Sequence, residues 1–210
     1  MIASMDGRRT PVAEPLLGPR FADALVYAHE AHREQLKKRS AVPYVSHLLA
    51  VAALVLEDGG DEDEAIAALL HDAAEDQGGR ARLDDIERRF GERVARIVEA
   101  CSDTLEASKP PWRGRKEAFL GSLETAPPEV LRVALADKLH NVTAMVRDVR
   151  AEGPGTWERF NAGPAEQAWY FTELLRVFRR RSTSRMVGSF AREVEALAGL
   201  AGLPSSSGAG

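Results

Sequence analysis

The stretch Ala67-Ala68-Leu69-Leu70-His71-Asp72-Ala73-Ala74-Glu75-Asp76 decides how the chain is read. An apolar run that must be buried leads straight into His71, Asp72, Glu75 and Asp76. On one continuous helix His71 and Glu75 stand four apart, Asp72 and Asp76 four apart, and Asp72 and Glu75 three apart. Residues at those offsets are neighbours on a helix surface. Three carboxylates that close repel one another unless a cation neutralises them. A divalent metal is the natural answer, and imidazole with carboxylates suits Mn, Fe or Zn better than an all-oxygen Mg or Ca site. The same residues also read as a buried, hydrogen-bonded histidine beside two carboxylates on a solvated face. What separates the two readings is whether further ligands occur elsewhere in the chain.

Two candidates do. His47 lies in Val42-Pro43-Tyr44-Val45-Ser46-His47, at the start of an apolar helical run. Asp137 lies in Ala134-Leu135-Ala136-Asp137-Lys138-Leu139-His140-Asn141, where a buried carboxylate without a partner is costly. Neighbouring helical residues diverge, which makes Lys138 a poor partner for Asp137 and a metal a better one.

Helical spacing fills the rest. Phe21, Leu25, Ala28 and His32 form one stripe, with Lys37, Lys38 and Arg39 expected to close that helix. Pro43 opens a second helix and Gly59-Gly60 stops it. Asp61 or Asp63 caps a third, which runs through Ala65–Leu70 into His71. Further helices are expected over Leu83–Phe90, Glu92–Leu105, Trp112–Leu123, Pro127 to about Val149, Ala165–Arg179 and Arg185–Leu197, with a loop at Gly153-Pro154-Gly155. No strand alternation and no internal repeat stands out. The expected architecture is all-α: a compact multi-helix domain over residues 18–200, a flexible arm at 1–17 and a disordered tail at 201–210.

Composition sets the outer limits. The 210 residues fit one domain. The 28 Lys and Arg against 32 Asp and Glu leave a charge of −4, which argues against a nucleic-acid binder working by broad electrostatics. The single cysteine, Cys101, excludes an internal disulfide and a cysteine-rich zinc site, and its apolar helical face points to a buried, inert thiol. The longest apolar run, Leu48–Leu56, is far short of the roughly 18 residues a membrane span needs. The N-terminus has no apolar signal segment. The expectation is a cytoplasmic protein with no membrane and no nucleic-acid partner; a homo-oligomer is left open.

The ordered set Gln35-x-Lys37-Lys38 … Pro43-Tyr44-x-x-His47, Ala68-Leu69-Leu70-His71-Asp72-x-x-Glu75-Asp76 and Ala136-Asp137-Lys138-Leu139-His140-Asn141 resembles the HD-domain hydrolases of the RelA/SpoT type. The resemblance covers roughly residues 20–180, and no synthetase or regulatory region follows it. The chain thus looks like a stand-alone small alarmone hydrolase. The resemblance implies an all-α HD fold, one Mn²⁺ and removal of the 3′-pyrophosphate from (p)ppGpp. It makes His47, His71, Asp72 and Asp137 the metal ligands. It makes Glu75 and Asp76 the acidic pair that orients or deprotonates the attacking water, and it sets Asn141 at the nucleotide site. His32 matches a recurring histidine near the pocket that is not a ligand.

An anionic nucleotide needs cations. Lys37, Lys38 and Arg39 are one candidate cluster, and Arg113, Arg115 and Lys116 another; each also reads as a solvated helix end. Tyr44 and Trp112 could stack on a purine, with core packing the plainer alternative. Lys37 stands where the family often has arginine, Leu48 where proline is common and Gln77 where threonine is common. These departures bear on specificity and make the adenine alarmone (pp)pApp a credible substrate. The rival readings are an HD phosphohydrolase acting on a nucleoside monophosphate or the 2′-phosphate of NADPH, and a non-catalytic domain that binds a nucleotide or a protein partner.

Overall fold

A computed structural model describes residues 16–38, 40–105 and 110–202. Nearly all of the expected arm and tail, together with Arg39, lies outside them. The described residues fold into ten α-helices: α1 (Pro19–Ala31), α2 (Val45–Glu57), α3 (Glu62–Leu70), α4 (Ala73–Asp76), α5 (Gly79–Phe90), α6 (Glu92–Cys101), α7 (Trp112–Leu123), α8 (Pro128–Glu152), α9 (Pro164–Arg181) and α10 (Met186–Leu200). A short 3-10 turn, Pro154–Arg159, stands where a loop was expected. Among the described residues the extended structure is one isolated bridge between Leu36 and Pro43. The all-α expectation holds. No helix among them is long and apolar enough to cross a membrane.

Two buried helices carry the centre. Ala65 to Leu70 of α3 have no exposed surface, as suits a helix that is apolar all round. Full burial of each large side chain there contributes about 1.5–3 kcal/mol relative to exposure. The long α8 buries residues on several faces, from Val130 to Val149, and packs against α2, α3, α6, α9 and α10. Pro128 sits in its first turn, where a missing N–H costs nothing.

The start of α3 is fixed by its sequence. Asp61 and Glu64 form a reciprocal capping box: the Glu64 N–H donates to Asp61 Oδ1 at 3.0 Å, and the Asp61 N–H donates to Glu64 Oε2 at 2.8 Å. Glu64 is 3% exposed, and Arg132 of α8 pairs with it. Arg132 also reaches Asp58 at 3.2 Å. This ion network locks α3 against α8.

Three expectations need correction. The first helix ends at Ala31, not at Lys37–Arg39: the His32 N–H closes it on the Ala28 carbonyl at 3.1 Å. The Lys37 N–H instead donates to the Val42 carbonyl at 2.9 Å in a turn that returns the chain to α2. Residues 71–76 are not one helix. α3 stops at Leu70, His71 and Asp72 form a turn, and α4 begins at Ala73. Third, α6 ends at Cys101 rather than Leu105, because Ser102 adopts extended backbone (ψ 133°) and its hydroxyl donates to the Val98 carbonyl.

Candidate metal centre

Three separate pieces of chain meet at one point. α2 brings His47 in its first turn, the α3–α4 turn brings His71 and Asp72, and α8 brings Asp137. His47 Nε2 lies 3.2 Å from His71 Nε2, and Asp137 Oδ1 lies 3.3 Å from His47 Nε2 and 3.5 Å from His71 Nε2. Asp72 Oδ2 lies 3.0 Å from His71 Nε2 and 3.5 Å from His47 Nε2. His47, His71 and Asp137 are buried and could hold a metal ion between them. Asp72 closes the set from the more open side, its side chain 22% exposed.

The chemistry of the donors fits a divalent cation. Burial pushes the Asp137 carboxyl up, but Lys138, His47 and His71 outweigh it and hold it well below the usual range. Asp72 is likewise held well below, the two histidines overcoming burial. Both groups are carboxylates, as ligation requires. His71 donates its Nδ1–H to the Ala68 carbonyl at 2.8 Å, which turns its Nε2 toward the cluster. Burial lowers the ring's pKa, but Asp72 and Asp137 outweigh it and raise it well above the usual value, so an incoming cation would displace the Nε2 proton. On His47 the matching contact runs from Nδ1 to His140 Nδ1 at 2.7 Å. Burial, and then His47 and Lys37, bring the His140 pKa down to about 4, so its ring is neutral and can accept.

The sequence argument set Lys138 aside as a partner for Asp137, and the structure corrects that. Lys138 Nζ donates to Asp137 Oδ2 at 2.5 Å, and Asn141 Nδ2 donates to Oδ1 at 2.6 Å. The long lysine side chain thus reaches its neighbour's carboxylate despite the divergence of adjacent positions. Asn141, expected at the nucleotide site, thereby also orients the carboxylate that faces the histidines.

Asp72 caps α4, and the Asp76 N–H donates to its carbonyl at 2.9 Å, so the three acidic residues keep helical spacing while their carboxylates take different partners. Tyr44, considered for base stacking, donates its hydroxyl to Asp72 Oδ2 at 2.5 Å and stacks on His32. Asp76 Oδ2 accepts from Gln35 Nε2 at 2.8 Å; Gln35 Oε1 accepts from Gln77 Nε2 at 2.6 Å and lies 2.7 Å from His32 Nδ1. Glu75 Oε2 accepts the Asp103 backbone N–H at 2.8 Å. Asp103 carried no signal in the sequence; its link to Glu75 spans 28 positions.

The expected cation clusters come to different places. Lys37 is half-buried near His140 and Arg147, and burial followed by Arg147 lowers its pKa. Lys38 Nζ lies 3.4 Å from Asn161 Oδ1. Arg115 and Lys116 both engage Asp103. Arg113 lies over the Trp169 ring and pairs with Glu117 and Glu166. Trp112 packs edge-on against Trp169 and Tyr170, in keeping with core packing. Cys101 is buried, and burial pushes its thiol up to about 12.

Comparison with known proteins follows the same lines. The HD domain family model matches residues 24–165. The MESH1 guanosine-3′,5′-bis(diphosphate) 3′-pyrophosphohydrolase of Xenopus tropicalis is 34% identical over 138 residues, 64% of this chain and 72% of that protein. Its human counterpart is 33% identical over the same shares. A guanosine-3′,5′-bis(diphosphate) 3′-pyrophosphohydrolase of Aquifex aeolicus is 36% identical over 124 residues, 58% of this chain but only 17% of that longer protein. Among solved structures, a metazoan ortholog of SpoT that hydrolyzes ppGpp superposes with a TM-score of 0.67 at 24% identity, over 92% of this chain and all of that one, which is a likeness of fold. A Listeria monocytogenes protein superposes with a TM-score of 0.62 at 28% identity, over 71% of this chain and 96% of that one. The chain belongs to the HD domain family, among its hydrolases of the RelA/SpoT type.

Proposed function

We propose that residues 18–200 form a Mn²⁺-dependent alarmone hydrolase that removes the 3′-pyrophosphate of (p)ppGpp or of its adenine analogue. The observation that carries this reading is the convergence of His47, His71, Asp72 and Asp137 on one point, with Glu75 and Asp76 in the helical turn that follows Asp72. The 3′-pyrophosphohydrolase activity for which the frog and human relatives are named agrees with it.

A divalent ion held by those four side chains would supply Lewis acidity toward the phosphoryl group and toward water. The protein's own groups do the rest. His47 and His71 offer Nε2 lone pairs because Nδ1 of each ring is engaged elsewhere. Glu75 takes the proton of the attacking water as its oxygen bonds to the 3′-phosphorus. The bond from that phosphorus to the ribose 3′-oxygen breaks, pyrophosphate leaves, and the 3′-oxygen takes a proton to become a hydroxyl. Asp76, fixed by Gln35, helps orient that water. Lys37 and Lys38 supply positive charge for the phosphates.

The test is a nucleotide panel with Mn²⁺ in which orthophosphate and pyrophosphate are measured separately. Pyrophosphate with GDP or GTP, or with ADP or ATP, is the expected product pair. Orthophosphate from a nucleoside monophosphate or NADPH as the main product would replace this reading with a phosphomonoesterase.

A further inference from the structure

Asp103 lies in the connection between α6 and α7 and donates its backbone N–H to Glu75 Oε2 at 2.8 Å. Its side chain is 7% exposed and takes two cations from the first turns of α7: Arg115 Nη1 at 2.9 Å and Lys116 Nζ, both on Oδ2. A buried carboxylate is tolerated only when paired in this way. Two more contacts fix the same connection. The Ser102 hydroxyl donates to the Val98 carbonyl at 3.0 Å. At the other end, a Cβ on Gly79 (φ +58°) would stand 2.8 Å from the Leu105 carbonyl oxygen, so glycine alone lets the segment lie against the start of α5.

Arg115 and Lys116 are therefore committed. Their side chains are 11% and 15% exposed, and Arg115 also donates its Nε to the Pro110 carbonyl at 3.1 Å. A cation that grips a substrate phosphate needs its donors open to the pocket; these donors converge on an internal carboxylate. Glutamate is a flexible side chain, and a base that must meet a water at hydrogen-bond distance gains from a fixed donor on one oxygen.

We propose that Asp103, clamped by Arg115 and Lys116, is a positioning residue that fixes Glu75 through its backbone amide, and that the two cations act through Asp103 rather than on substrate phosphates. The inference rests on the role given to Glu75 above. The test joins amide hydrogen exchange on ¹⁵N-labelled protein with steady-state kinetics for the wild type, Asp103→Asn, Lys116→Gln and the double variant.

In Lys116→Gln the Asp103 amide should exchange at least about tenfold faster, with α8 amides unchanged. kcat should fall about 10–100-fold, as for a reacting group displaced by a fraction of an ångström to an ångström. KM should stay within about twofold, and the double variant should be no worse than the worse single. If Asp103→Asn does not fold, Lys116→Gln and Arg115→Lys carry the kinetics. Unchanged exchange at the Asp103 amide, a folded Asp103→Asn with wild-type kcat, or a raised KM with kcat kept would overturn the clamp. A wild type inactive on both alarmones would instead sink the proposed reaction, and the exchange result would still decide the clamp.

Discussion

His47 and His140 meet through their Nδ1 atoms at 2.7 Å, so only one of the two can carry the proton there. With His140 neutral, its pKa near 4, and accepting at Nδ1, His47 keeps its proton on Nδ1 and turns Nε2 to the cluster. Partners that orient a ligand in this way typically contribute about 10–100-fold in metal affinity. His140→Phe should weaken Mn²⁺ or Zn²⁺ binding by about that factor in competition with a chromogenic chelator, with helical content unchanged. Undiminished affinity would show that His140 does not set the His47 tautomer.

Arg132 joins α8 to the buried Glu64 of α3 and to Asp58. Removing it leaves a buried carboxylate without its cation, a change that costs about 3 kcal/mol in comparable settings. Arg132→Ala should therefore unfold at clearly lower denaturant, and Arg132→Lys should recover part of the loss. Equal midpoints for wild type and Arg132→Ala would remove this network from the account of how α3 is set against α8.

Asp61 caps α3, and its stability contribution has a defined pH window. Burial pushes its carboxyl up, but the Glu64 N–H and Arg93 outweigh that and hold it below its ordinary value of 3.8. A depressed folded-state pKa contributes stability above 3.8 that is lost as the pH falls through the lower folded value. Asp61→Ala should cost about 1 kcal/mol at neutral pH. The gap between the two proteins should narrow as the medium is acidified below 3.8. A gap that grows on acidification would contradict the assignment.

Cys101 should be silent in the native protein. The thiolate is the reactive form, and burial pushes this thiol up to about 12. A disulfide reagent at neutral pH should label it only after urea unfolds the chain. Rapid, complete labelling of the native protein would mean that α6 opens far more readily than its packing suggests.

The sequence made the ligand-bearing segments legible because each sets an ionisable side chain among residues that must be buried. Helix ends were readable where a strong local signal marks them: Pro110-Pro111 ahead of Trp112, Gly91 after Phe90, an aspartate at 61 or 63 ahead of α3. Other boundaries were lost because the deciding bond is a tertiary or side-chain contact. Ser102 closing α6 on Val98 and the turn at His71-Asp72 have no distinctive composition. Tyr44 on Asp72, His140 on His47 and Asp103 on Glu75 join positions 28 to 93 residues apart, and no periodicity encodes such pairs. Lys138 was set aside on backbone geometry alone, and its long side chain reaches Asp137 all the same.

Metal content tests the central claim most directly. The protein, purified without chelator and offered Mn²⁺, Fe²⁺ or Zn²⁺, should carry close to one divalent ion per chain by elemental analysis. His71→Ala and Asp137→Ala should carry almost none while keeping their helical content. A folded wild type that takes up none of the three ions, or variants that hold as much metal as the wild type, would contradict it.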